Sequence, residues 1–124
     1  MYQLRFLQPG LGEIQIDNFI EYFETDESYW PQEKYEVHWK VASERVAKGL
    51  DAYFITSTPD PKTANFIRGW ACYPKEEELV FQEHILFLDE LPEEFDIEHP
   101  YKCIPDYESA SDDGGEISEW RTHT

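Results

Sequence analysis

The sequence predicts an α+β domain two layers deep, with two amphipathic helices packed on an antiparallel β-meander of three or more strands. Three observations carry that expectation. Apolar residues recur at helical spacing in two segments of the first half, Ile14–Glu24 and Gln32–Lys48. Three apolar runs then follow one another, Ala52–Thr58, Phe66–Tyr73 and Leu79–Leu88, joined by short polar links of the kind that turn a meander. Finally, 124 residues with 40% hydrophobic and 16% aromatic content are enough for one core, so residues 1–124 read as a single domain.

Taken in order, Tyr2–Leu7 is a short strand or an extended lead-in, broken by Pro9, Gly10 and Gly12. In Ile14–Glu24, the residues Ile16, Phe19, Ile20 and Phe23 sit at i, i+3, i+4 and i+7, one face of a helix. In Gln32–Lys48 the stripe is Tyr35, Trp39, Ala42 and Val46. Pro31 suits its start and Gly49 its C-terminal cap. Within Phe66–Tyr73, Phe66, Arg68, Trp70 and Cys72 share one side; Gly69 on the other marks a bulge or a close backbone approach. After Leu91-Pro92 regular structure thins. Residues 108–116 are polar, bear two glycines and read as a mobile acidic segment, after which Ile117 and Trp120 dock back on the core.

The net charge is −17, from 27 acids against 10 Lys and Arg. Such a field repels nucleic acid and anionic membranes, and it attracts and captures basic proteins. The acids are concentrated where the third apolar strand ends: Asp89, Glu90, Glu93, Glu94, Asp96 and Glu98, with no Lys or Arg between Lys75 and Lys102. This run is the first candidate partner-binding patch; Asp112, Asp113 and Glu116 form a second. Trp30, Tyr101, Tyr107 and Trp120, outside the regular elements, are of the residue types that anchor protein interfaces.

Catalytic and metal chemistries find little support. The four histidines, His38, His84, His99 and His123, share no metal-ligand spacing with one another or with cysteine. Cys72 lies in an apolar strand with nothing basic beside it to activate a thiolate. No nucleophile elbow or dinucleotide fingerprint is present, and Gly114-Gly115 is flanked by acids that would repel a phosphate. An EF-hand register from Asp106 or Asp112 fails at required ligand or glycine positions. The expectation is therefore a protein without catalytic residues, metal or cofactor. There is no apolar run of transmembrane length and no signal-peptide pattern, and two cysteines do not make a disulfide framework. The expected compartment is the cytoplasm, with both thiols reduced.

Several phrases of the chain resemble one family: Tyr35–Lys40 (YEVHWK), Ile55–Ser57, Asp60–Phe66 (DPKTANF), Leu86–Leu91 (LFLDEL), Ile104–Asp106 and Ile117–Trp120. Together they are similar to bacterial immunity proteins of contact-dependent growth inhibition systems, from about Tyr35 to Trp120. The resemblance implies a small cytosolic protein that binds and blocks the C-terminal domain of a large exported toxin, often a nuclease. It transfers no catalytic or binding residue. The expected partner is thus a toxin domain with a basic surface, bound 1:1. The rival reading is an acidic DNA mimic that inhibits a nucleic-acid-binding enzyme; its carboxylates would have to track phosphates, one charge per about 1.7 Å of duplex. Acids clustered on loops and a tail fit that spacing poorly.

Overall fold

The computed structural model describes residues 1–91, 93–108 and 118–124. Two antiparallel sheets make the framework. The first has three strands in sequence order, β1 (Tyr2–Gln8), β2 (Leu11–Ile16) and β3 (Phe19–Glu24). A single helix, α1 (Gln32–Ala47), follows. The second sheet has four strands, also in sequence order: β4 (Ala52–Ser57), β5 (Phe66–Lys75), β6 (Glu78–Phe87) and β7 (Trp120–His123).

The α+β class and the meander are as expected; the first of the two helices is not. Ile14–Glu24 is a β-hairpin, with Ile16 paired to Phe19 across the two-residue link Asp17-Asn18. Asp17 adopts φ 52°, a left-handed conformation that Asp tolerates better than most residues. The apolar positions of this stretch fit a period of two as well as one of 3.6. The strand solution buries Ile14 and Ile16 completely and leaves Ile20, a member of the supposed helical stripe, 46% exposed. Pairing with β1 on the other side satisfies the β2 backbone, which a lone helix would have had to do internally.

The first sheet lies on one face of the second. Its inner face presents Tyr2, Ile14, Ile16 and Phe19. Tyr2 packs against Phe54 and Phe81, and Phe19 stacks on Trp120 at 4.2 Å and leans on Trp70. Gly12 leaves room for the Phe23 ring, which a Cβ there would meet at 2.4 Å. The other face of the second sheet, with Ile67, Ala71, Tyr73 and Gln82, is met by residues 93–108 that follow β6. Gly69 sits in this sheet because the Tyr53 ring crosses directly over it; a Cβ would lie 2.5 Å from both that ring and the Phe54 carbonyl oxygen. The β4–β5 register also shifts between Ile55 and Ser57, so the sequence signal at Gly69 reflects a bulge and a close approach together.

Helix α1 runs along the open edge of β4. Tyr35, Trp39, Ala42 and Val46 are its buried stripe, as the spacing predicts. Adjacent side chains of the helix bond both outward-facing polar groups of Ile55: the Trp39 indole N–H donates to the Ile55 carbonyl (2.8 Å), and the Ile55 N–H donates to His38 Nε2 (2.8 Å). The Thr58 N–H donates to the Tyr35 hydroxyl, which donates to the Asp26 carbonyl. An edge that would otherwise invite strand pairing is closed.

Candidate protein-binding surface

Strand β6 ends at Phe87, and one turn of 3₁₀ helix, Leu88–Glu90, redirects the chain. The Leu88 N–H donates to the Asn65 carbonyl at 3.0 Å and Leu88 packs on the core, so Asp89 and Glu90 are held at a fixed corner. Farther on the chain alternates. Phe95 and Ile97 pack against the core while Glu94, Asp96 and Glu98 point to solvent. Pro100 is buried, the Tyr101 ring lies under the Arg45 guanidinium (3.4 Å), and the Tyr73 hydroxyl donates to the Pro105 carbonyl (2.7 Å). Alternation of apolar anchors with acids explains why a segment without regular structure nonetheless lies in one place.

All of Asp89, Glu90, Glu93, Glu94, Asp96 and Glu98 are exposed. They do not all stand as free charges. Asp96 accepts hydrogen bonds from His99 Nδ1 (2.7 Å) and the Glu98 N–H (3.0 Å). These bonds, with the nearby charges of His99 and Lys102, hold its carboxyl below the usual range. Lys102, which closes the Lys75–Lys102 interval six residues after Asp96, therefore relieves part of the acid run. The second predicted patch, Asp112, Asp113 and Glu116, lies outside the described residues, as do Ile117 and most of the segment read as mobile. Trp120 does dock, as the first residue of β7.

His38, His84 and Cys72 have structural surroundings. His84 Nε2 contacts the Gln82 amide oxygen. Burial pushes the Cys72 thiol well up, the opposite of what a nucleophile needs. Among the described residues no cluster of His, Cys, Asp and Glu is arranged to hold a metal ion.

A second acidic feature was not visible in the sequence. Register places Glu21 of β3 opposite Ile14, on the inner face of the first sheet. There it lines a cleft of about 760 Å³ between the sheets, with Tyr22, Glu24, Thr25, Arg68 and Glu83. Partial burial, then the Glu83 charge, pushes the Glu21 carboxyl up. Only the strand periodicity of Phe19, Glu21 and Phe23 could have revealed this position, and the helical reading hid it.

Residues 25–124 match the family described as the CdiI N-terminal domain. The chain belongs to the CdiI family of immunity proteins. Among curated proteins, the immunity protein CdiI of Enterobacter cloacae subsp. cloacae is 30% identical over 117 residues, covering 94% of this chain and 79% of that protein. Among solved structures, a CdiA-CT/CdiI toxin and immunity complex from Enterobacter cloacae matches 99% of this chain and 90% of its counterpart, with TM-score 0.89 and 26% identity. The family expectation drawn from Tyr35–Trp120 is thereby established, and the structural likeness extends to the β1–β3 sheet. No helix among the described residues is long and apolar enough to cross a membrane.

Proposed function

We propose that this CdiI-family protein neutralises the C-terminal toxin domain of its cognate contact-dependent inhibition system by binding it, without catalysis, in the cytoplasm. The observation that carries this reading is the likeness, at TM-score 0.89 over 99% of the chain, to a structure described as a toxin and immunity complex. The charge of −17 supports a basic partner, and a nuclease is the toxin class that most needs a basic surface, to hold phosphates. Asp89, Glu90, Glu93, Glu94, Asp96 and Glu98 would face that surface and compete with nucleic acid for its Lys and Arg, with Asp112, Asp113 and Glu116 as a second contact.

The test is calorimetry between this protein and the toxin domain encoded beside it, at low and high salt. The expected result is 1:1 binding of about nanomolar Kd that weakens as salt rises. Absence of binding would overturn the reading and return the DNA-mimic alternative.

A further inference from the structure

The first sheet covers only part of the face it packs on. Beneath it, Phe54, Trp70, Cys72 and Phe81 are 0–1% exposed. The same face continues toward the far end of the β5–β6 pair, where register sets Arg68 opposite Ile85 and Phe66 opposite Phe87. Among the described residues, these are only partly covered. Phe66 is 38%, Ile85 43% and Phe87 48% exposed, and the two phenylalanine rings pair with centroids 6.1 Å apart. Single exposed apolar residues are ordinary; three on contiguous cross-strand positions make a strip that water wets at a cost.

The strip opens onto the cleft between the sheets. Arg68 lines the cleft together with Glu21, Tyr22 and Glu83, and its guanidinium lies 5.4 Å over the Phe66 ring. Glu21, Glu83 and Arg68 take part in none of the ion pairs among the described residues. Partial burial, and after it the charge of Glu83 across the cleft, push the Glu21 carboxyl up, a cost that a cation seated beside it would relieve. The Thr25 hydroxyl in the same cleft is buried without a hydrogen-bond partner among the described residues. On the other side of the strip, Glu90 and Glu93 share a groove with Ile85 and Phe87. The surface is thus an apolar centre with an exposed tyrosine and an arginine, rimmed by acids, with Lys102 in the groove of Glu90 and Glu93. Local departures from good folding chemistry of this kind collect at functional sites.

We infer that Phe66, Ile85 and Phe87, with the facing Glu21 and Glu83, form the anchor site for a Lys- or Arg-bearing surface of the cognate toxin domain. A toxin cation seats between the two carboxylates, and apolar toxin side chains cover the phenylalanine pair. The occupant must be basic: a second copy of this chain would bring the same acidic rim and the same net charge of −17 against itself. The assignment rests on the toxin-neutralising reading above and adds to it the surface that holds the complex once charge has formed it.

The experiment uses the full chain and the toxin domain encoded beside it, with binding kinetics and thermal unfolding measured in parallel. The double variant Phe66→Ser/Phe87→Ser should weaken binding by about 100-fold, mainly through faster dissociation. Its Tm should fall by only a few degrees, because about half of each side chain is already exposed and only the cross-strand ring pair is lost. Glu21→Gln/Glu83→Gln should weaken binding by about 10-fold while raising Tm, since it removes the cost of holding the Glu21 carboxylate partly buried with Glu83 in the same cleft. A purely structural role would not move the two readouts in opposite directions. Val37→Ser/Val41→Ser, which alters exposed apolar residues on α1, serves as the control and should bind unchanged. Wild-type binding with unaltered affinity in both strip variants, or equal loss in the α1 control, overturns the site and leaves the immunity reading standing. No binding by the wild-type chain overturns both.

Discussion

His38 works by staying neutral. Its Nε2 accepts the Ile55 N–H at the edge of β4, which the protonated ring could not do, and burial lowers its pKa to about 4. The sign of the resulting pH dependence follows from linkage. Above pH about 6.5 the ring is neutral in both folded and unfolded chains, and folding costs nothing on this account. Below that, the unfolded chain takes up a proton that the native ring refuses until pH falls to about 4, so stability is lost progressively across that window. The loss is up to about 3 kcal/mol. Glu21, with its raised pKa, acts in the opposite sense and stabilises the fold as pH falls, so the comparison must isolate His38. His38→Gln keeps an acceptor and removes the titration. Urea unfolding at pH 7 and pH 4.5 should show a smaller loss on acidification in the variant than in the wild type. Identical losses would mean that His38 is not the neutral acceptor described here.

At the scale of elements, residues 93–108 depend on side-chain fastenings rather than on backbone ladders. One of these is the Tyr101 ring against Arg45 of α1, a cation–π contact worth about 1 kcal/mol at a surface site. Tyr101→Leu should therefore raise amide hydrogen exchange in residues 93–105 while leaving exchange in β5 nearly unchanged, because local opening needs only the strap to lift. Faster exchange throughout the molecule would contradict a local role. The same element shows what the sequence could disclose. Strands β4, β5 and β6 and helix α1 were legible because their apolar runs and spacing mark them, and even the side assignments of Phe66, Arg68, Trp70 and Cys72 match the observed register; β7 was not read as a strand. The acid run was legible as surface because carboxylates without partners do not bury. Ile14–Glu24 was misread because its apolar positions satisfy two periods at once, and only the left-handed Asp17 turn, with β1 waiting as a partner, decides between them. The Phe66–Phe87 strip was invisible for a different reason. Whether a strand face is core or surface depends on how far the opposing sheet reaches, and no pattern within β5 or β6 encodes that length.

At the scale of the whole molecule, charge and apolar surface should control different rate constants. The excess of negative charge acts over about 10 Å at 0.1 M salt, so it orients and accelerates encounter but falls away once surfaces touch. Asp89, Glu90 and Glu93 are exposed, the first two on the fixed turn Leu88–Glu90, a placement suited to steering. Replacing them with Asn, Gln and Gln removes three of the seventeen excess charges and should lower the association rate with the toxin domain by about 10-fold at low salt. Dissociation should change by no more than about 2-fold, because solvated rim charges contribute little to a formed contact. Raising the salt should bring the wild-type association rate toward that of the variant, since screening and neutralisation remove the same attraction. The strip variants should behave in the converse way, with near-normal capture and rapid release. Stopped-flow association and surface-based dissociation measurements on both sets separate the two contributions. If neutralising the corner acids accelerates dissociation as much as it slows association, those carboxylates are paired and desolvated in the complex, and the anchor extends from the phenylalanine strip into the acidic corner itself.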